Sequence, residues 1–435
     1  MSTFIVSLLM IIRFSGLLLF LHNLSIGCML DPDLNPYTPN AGAMPLALTG
    51  RSELRADFRT LLRRLQRGYT DKAMILTGLR GVGKTVLLND FARTAEDVKW
   101  RVIELEIPKR GADSEFRLQI AQGARRALLS MSHPERWRDR VRTAASVLRS
   151  FSIKVDPDGA LTAGLGVEPS FGMGDVGDLS LDLTDLMVSL GQAAQEENTG
   201  VIFLIDEIQF LTSSQLEGLV MALHKTVQRS LPLTMAAAGL PQIAKITGDA
   251  KSYSERLFSF SEVGPLSVEA ACEALVEPAA REGATFQQSA LDECVRITEG
   301  YPYFIQEIGY TLWRNAHDTV FTERDVDLAR VDYMARLDSS FFRVRLDRAS
   351  ALERAYMRAM AELGAHPHSA SKVASLLGRT GNQAAPVRAS LINKGLLYST
   401  PDYGVAQFTV PQFDTYIKRV MPQLVVPPLR SRSGA

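Results

Sequence analysis

The sequence predicts an α/β fold built on a parallel sheet, followed by a helical segment and a C-terminal winged helix-turn-helix. Three observations predict it. Short apolar runs alternate with amphipathic helical stretches from about residue 52 to residue 238, the pattern of strand–helix–strand crossovers. One of those runs, residues 74–77, feeds a glycine-rich turn that opens a helix. From residue 267 the period is helical throughout, until two short strands flank Pro401-Asp402-Tyr403-Gly404.

A chain of 435 residues is too long for one ordinary domain. Its hydrophobic fraction of 46% supports a sizeable core, which excludes a disordered, collagen-like or low-complexity protein. Three cysteines (Cys28, Cys272 and Cys294) are too few for a disulfide framework and fit a reducing compartment. Forty-eight basic residues cancel 48 acidic ones, so the chain is not basic throughout. Sorted by module, residues 350–435 hold ten Lys/Arg against four Asp/Glu, a net +6, which leaves −6 for residues 1–349.

The chain opens on an apolar run, residues 4–21, long enough to span a membrane. Its thirteen Leu, Ile, Phe and Val residues outweigh the roughly 2.5–3.5 kcal/mol that a central Arg13 costs on insertion. No Lys or Arg precedes Phe4, so both a signal-peptide n-region and an orientation signal are missing. Two readings stand: a translation start placed too early, with Met29 the true first residue, or a membrane anchor that leaves the remainder facing the cytoplasm.

Residues 31–44, rich in Pro, Asn and Gly, form an extended lead-in. A helix over 52–67 places Leu54, Phe58, Leu61, Leu62 and Leu65 on one face. Strands follow at 74–77, 100–107, 201–205 and 233–238, with helices at 84–94, 181–195 and 213–230 between them. The run 201–205 is continuously apolar, as a strand buried on both faces requires. Residues 117–149 are helical and arginine-rich, either a solvated face or a second phosphate-contacting surface. Residues 151–180, glycine-rich with short alternating pieces, read as a hairpin-like insertion.

Gly78-Leu79-Arg80-Gly81-Val82-Gly83-Lys84-Thr85 matches G-x-x-x-x-G-K-[ST] in full, between a strand and a helix. Glycines at 78, 81 and 83 let the loop curl until its N–H groups, with those of Val82 and Val86, converge on phosphate oxygens at a helix N-terminus. Lys84 is expected on the β- and γ-phosphates and the Thr85 hydroxyl on Mg²⁺. The strand 201–205 ends in Asp206-Glu207, two carboxylates at the sheet edge where ligands bind. Asp206 is expected in the Mg²⁺ shell, and Glu207 orients or deprotonates the attacking water. The cofactors expected are therefore ATP or ADP with Mg²⁺.

With both motifs in place, residues 35–420 resemble the AAA+/STAND group of P-loop ATPases, and within it the origin-recognition-type ATPase domains of bacteria and archaea. Gly50-Arg51-Ser52-Glu53 resembles the segment that lies near the adenine in that group, which assigns Arg51 to nucleotide binding. Gly239-Leu240-Pro241 resembles a STAND feature. Gly300-Tyr301-Pro302 resembles the lid element whose proline, here Pro302, packs near the base. Two family features are missing: residues 235–238 carry no polar sensor, and residues 300–309 carry no sensor arginine. Both departures point away from a ring motor and toward a STAND-like switch. Arg256 is the candidate for a finger that neutralises transition-state charge, with a salt bridge as its alternative use.

The C-terminal pattern is helix (352–363), helix (369–377), turn, helix (382–394), then two strands, the second over 408–410. Pro386 fits because it falls in the first turn of its helix. Val387 and Leu391 face the core. Gln383, Arg388 and Lys394 are the candidates for a DNA major groove, the cations on phosphates and the amide on adenine. The alternative is a module that packs or signals through protein contacts.

The expected organisation is an N-terminal segment and lead-in (1–44), a P-loop ATPase core (45–264) with an insertion near 108–180, a helical lid (265–345), a winged helix (346–422) and a tail (423–435). It describes an ATP-hydrolysing, nucleotide-controlled switch that oligomerises on ATP binding and takes duplex DNA or a protein as partner.

Overall fold

The computed structural model describes residues 30–109, 111–250, 254–400, 402 and 404–428; the apolar run 4–21 lies outside them. Among the described residues no helix is long and apolar enough to cross a membrane. The chain forms two compact units. One joins Arg51–Pro265 to Asp338–Ala435, and the other joins the lead-in up to Gly50 to Leu266–Leu337.

In the first unit five strands build one sheet: β1 (Ala73–Thr77), β2 (Arg101–Glu106), β3 (Val201–Asp206), β4 (Leu233–Gly239) and β5 (Phe258–Glu262). Their order is β2-β3-β4-β1-β5, and every neighbouring pair is parallel. The interior strands β1 and β4 are buried at every position, which is why each reads as an unbroken apolar run. The edge strand β2 instead alternates buried Ile103 and Leu105 with exposed Glu104 and Glu106. The other edge, β5, escaped the sequence reading. Its short Phe-Ser-Phe-Ser-Glu run is half exposed, so its apolar signal is weak.

Helices Asp113–Met131, Asp139–Ser152, Leu179–Glu196 and Ser213–Gln228 cover one side of the sheet. Ile103, Phe203 and Ala237 of the strands share one core with Ile120, Leu148, Leu190 and Leu219 of those helices. The hairpin expected over 151–180 does not form. Phe151 and Ser152 complete a helix whose buried residues (Val141, Ala144, Ala145, Leu148 and Phe151) recur at helical spacing. Beyond it, Gly159, Gly164, Gly166, Gly172, Gly174 and Gly177 all have positive φ and break the chain into turns. Nor is the arginine-rich stretch a uniform phosphate-facing surface. Arg117 is buried against Asp182 at 2.8 Å with its guanidinium over the Phe151 ring, and Arg142 is bonded to the Trp137 carbonyl.

In the second unit the helices Val268–Arg281, Gln288–Thr298, Pro302–Asn315 and Glu323–Arg336 fill the segment whose period is helical from residue 267, with a two-stranded ribbon of β6 (Thr285–Phe286) and β7 (Val320–Phe321). The lead-in is fastened to them. Buried Tyr37 reaches the Leu275 carbonyl, and Trp313 Nε1 donates to the Asp31 carbonyl at 2.9 Å. A Cβ on Gly309 would stand 2.6 Å from the Tyr37 ring, so this glycine is what admits the tyrosine.

Residues 338–428 return to the first unit. Helices Ala351–Leu363, Ala370–Leu376 and Gly381–Asn393 precede β9 (Leu397–Ser399) and β10 (Val405–Phe408). With β8 (His368–Ser369) these form an antiparallel sheet ordered β8-β10-β9. The second strand thus ends at Phe408, where 408–410 was expected. Glu353 ties two of the helices together: it accepts from Ser350 N in a capping box, from Ser390 Oγ at 2.6 Å and from Lys394 Nζ at 2.6 Å.

Burial alone would raise the Glu353 carboxyl, but the hydrogen bonds from Lys394, Ser390 and Ser350 outweigh it and hold its pKa down to about 2. A depression of that size is worth roughly 3 kcal/mol to the folded state at neutral pH. Because the folded value lies below the unfolded one, this stabilisation is complete above the ordinary glutamate range and is lost as pH falls toward the folded value. The chain should therefore be more stable than its Glu353→Gln variant at neutral pH, and the gap should close between about pH 5 and pH 2. Denaturant unfolding of both proteins across that range checks this; a gap independent of pH contradicts it.

Candidate nucleotide-binding site

The loop that follows β1 is shaped by close approach. Gly78 N donates to the Gly239 carbonyl at 3.2 Å, joining the ends of β1 and β4, and a Cβ at Gly78 would lie 2.2 Å from the Val263 carbonyl oxygen. Gly81 and Gly83 take φ of 88° and 92°, and Gly83 is the N-cap of helix Lys84–Asp97. Val82 is buried and Val86 half-buried, so the loop is anchored by apolar contacts on both sides of Lys84. The first unsatisfied N–H groups of that helix therefore face the mouth of the loop, with the positive end of its dipole.

Lys84 folds back over the loop, its Nζ donating to the carbonyls of Gly78 at 2.9 Å and Leu79 at 2.7 Å. Burial lowers its pKa to about 8; the Glu207 and Asp206 carboxylates oppose that shift, and Arg80 adds to it. Thr85 Oγ1 donates to Asp206 Oδ2 at 2.6 Å, so two residues 121 apart in sequence meet at one edge of the sheet. Glu207 follows in the left-handed region with φ 54°, and its N–H donates to Asp206 Oδ1 at 2.7 Å. That turn aims the two carboxylates differently: Asp206 faces Thr85, and Glu207 faces Arg80, with Nη1–Oε1 at 2.9 Å.

Arg51 bonds the backbone of the loop, its Nη2 donating to the Val82 carbonyl at 3.4 Å and to the Gly264 carbonyl, and burial lowers its pKa. It therefore braces the loop from below. The structure brings together Arg51, Gly78, Gly81, Val82, Gly83, Lys84, Thr85, Val86, Asp206 and Glu207. Pro302 belongs to the other unit, at the first position of helix Pro302–Asn315.

Arg256 is not brought to the site of its own chain. It is exposed and precedes Phe258, which pairs with Ala73 at the start of β1, whereas the loop leaves the far end of that strand after Thr77. A five-residue strand separates the two by about 17 Å. The three C-terminal candidates all have intramolecular partners. Gln383 Oε1 caps its own helix by accepting from Thr380 N at 3.0 Å. Arg388 Nη2 donates to Ser399 Oγ at 3.2 Å and the Val405 carbonyl at 3.0 Å. Lys394 Nζ is bound to Glu353 and to the Arg348 carbonyl.

Two residues escaped the sequence reading. Gln209 donates to Glu207 Oε2 and accepts from Leu240 N at 3.0 Å, linking the end of β4 to Glu207. Arg80, inside the loop motif, pairs with Glu207. Its position among the unspecified residues of the motif was the available signal.

This arrangement is a P-loop NTPase fold: a parallel sheet, a glycine-rich loop opening a helix, and a strand-end aspartate on the loop threonine. Comparison with known families narrows the class, since residues 47–235 match the AAA ATPase domain. Residues 339–417 match a separate family, a domain of unknown function (DUF8462). None of the curated proteins matches the chain. Several solved structures resemble it. A Walker-type ATPase of Pyrococcus abyssi is 18% identical, with 86% of this chain and 99% of that one covered and a TM-score of 0.47. The Orc1 protein of Aeropyrum pernix, solved in complex with DNA, is 14% identical, with 86% and 94% covered and a TM-score of 0.42. Cdc6p of Pyrobaculum aerophilum is 13% identical, with 90% and 97% covered and a TM-score of 0.43.

Proposed function

We propose that the chain binds ATP with Mg²⁺ and hydrolyses it, and that its C-terminal module, read as a winged helix, responds to the nucleotide as in a STAND-type switch. The observation that carries this is the meeting of Thr85 with Asp206 beside Glu207, at the mouth of a complete phosphate loop. Loop N–H groups and Lys84 hold the phosphates. Thr85 and Asp206 supply hard oxygen donors of the kind Mg²⁺ takes alongside phosphate oxygens, and the ion when bound neutralises charge on the γ-phosphate. Water attacks the γ-phosphorus, its proton passes to Glu207, and the bond to the ADP oxygen breaks. ATP turnover by the full chain, compared with its Glu207→Gln variant, tests this reading.

Arg388 and Lys394 are spent on contacts within the module, and exposed Gln383 commits its Oε1 to capping its own helix, which favours a protein-contacting role over a DNA reader. Turnover is then expected to be unchanged by duplex DNA; a clear stimulation at low salt would reverse that choice. Arg256 serves as a finger only toward a second copy, in an ATP-dependent assembly. An ATP-using domain of this kind works on the cytoplasmic side.

Nucleotide affinity should depend on pH through Lys84. Its ammonium has a pKa of about 8 before binding, and bound phosphate favours the charged form. ATP affinity is then full below that value and falls by up to about tenfold per pH unit above it. Dissociation constants measured at pH 7, 8 and 9 check this, and a flat profile contradicts it.

A further inference from the structure

Glu207 is held by more than its place on β3. Arg80 grips its carboxylate with both arms of the guanidinium, Nη1 to Oε1 at 2.9 Å and Nη2 to Oε2 at 3.3 Å, and the Gln209 amide donates to Oε2 as well. Arg80 is in turn seated on the C-terminal module. Its backbone N–H donates to the Thr409 carbonyl at 3.1 Å. Buried Thr409 donates through Oγ1 to the Gly395 carbonyl at 2.8 Å, and a Cβ on Gly395 would stand 3.2 Å from Arg80 Nη2. Beside this seat, Lys109 Nζ donates to the Lys394 carbonyl at 2.9 Å, tying the segment after β2 to the same turn.

We infer that Arg80 is a positioning residue that restrains Glu207, and that the seat made by Gly395 and Thr409 sets the restraint. A general base must offer a free carboxylate oxygen within hydrogen-bond reach of water. A fork–fork pair with arginine engages both oxygens and fixes the direction in which the carboxylate points, so neither is offered to a water. While the C-terminal module is docked, the base is therefore held back. Movement of the module withdraws the Thr409 carbonyl and the Gly395 wall from Arg80, and the arginine is then free to leave Glu207. This gives the DUF8462-type segment a physical handle on turnover without its touching nucleotide. The inference rests on the hydrolytic reading of Glu207 above.

The test measures kcat and KM for ATP on the full chain and on Arg80→Ala, Arg80→Lys, Lys109→Ala and Glu207→Gln. Arg80→Ala is expected to raise kcat about tenfold with a smaller change in KM. Arg80→Lys keeps the charge without the fork and should fall between the two. Lys109→Ala removes the bond to the Lys394 carbonyl, and its ammonium acts on Glu207 only through space; it should raise kcat in the same direction and add nothing to Arg80→Ala. A kcat for Arg80→Ala at or below wild type, while Glu207→Gln is inactive, overturns the restraint and leaves the hydrolytic reading standing. An unchanged kcat for Lys109→Ala overturns the role of the seat. Turnover indifferent to Glu207→Gln overturns the hydrolytic reading itself.

Discussion

Glu207→Gln should leave nucleotide binding nearly intact and lower kcat for ATP by about 10²–10⁴-fold, the range that general-base catalysis supplies. The substitution keeps the shape of the side chain and an oxygen for Arg80, but an amide does not take a proton from water. Lys84, Thr85 and Asp206 are untouched, so the phosphate and metal contacts persist and the dissociation constant for ATP should move by less than about threefold. Lys84→Ala makes the contrast. It removes the loop's own cation, and both affinity and turnover should fall. Single-turnover kinetics with equilibrium binding on the three proteins separates the two effects. If Glu207→Gln hydrolyses at the wild-type rate, Glu207 is not the base, and its left-handed backbone at φ 54° needs another explanation.

How much of this site was legible in the sequence follows from the range over which its physics acts. The loop glycines, Lys84 and Thr85 work through local backbone geometry, so their spacing alone announces them. Asp206 is 121 residues from Thr85, yet it was legible because a parallel strand must deliver its last residue to the same sheet edge as the loop. Where Arg256 stands relative to the loop was not legible, for the same reason in reverse. A residue before a parallel strand lands on the opposite edge, and β5 itself had not been read. The C-terminal candidates illustrate a different limit. Helical periodicity tells which way Arg388 and Lys394 leave the helix, but long side chains bend back to nearby carbonyls and carboxylates, and they do so here. The bond from Arg80 to Thr409 is made by backbone groups that every sequence possesses, and Gly395 and Thr409 lie more than 300 residues from Arg80, so nothing local advertised the docking.

Gly78→Ala should be the most damaging single methyl group in the phosphate loop. The φ at Gly78 is not positive, so the cost lies in space and not in backbone conformation. The added Cβ would meet the Val263 carbonyl oxygen at 2.2 Å, the Val82 side chain at 3.1 Å and the Val263 carbonyl carbon at 3.2 Å. Val263 cannot easily retreat, because its N–H is bound to the Thr77 carbonyl at 2.7 Å and the next carbonyl, of Gly264, is held by Arg51. The loop must therefore move instead, stretching the Gly78–Gly239 hydrogen bond and displacing the carbonyls on which Lys84 rests. Overpacking of this kind costs about 1–3 kcal/mol, which in a unit of this size lowers the thermal midpoint by roughly 2–5 °C. ATP affinity should fall with it by at least about tenfold, since the phosphate-facing N–H groups shift as a set. Gly248→Ala is the matching control. That glycine is exposed in a helix with nothing within 4 Å of a Cβ, so alanine there should stabilise by about 0.5–1 kcal/mol and leave binding alone. Thermal unfolding and ATP titration of both variants decide the matter. If Gly78→Ala keeps the wild-type midpoint and affinity, the approach of Val263 does not constrain the loop.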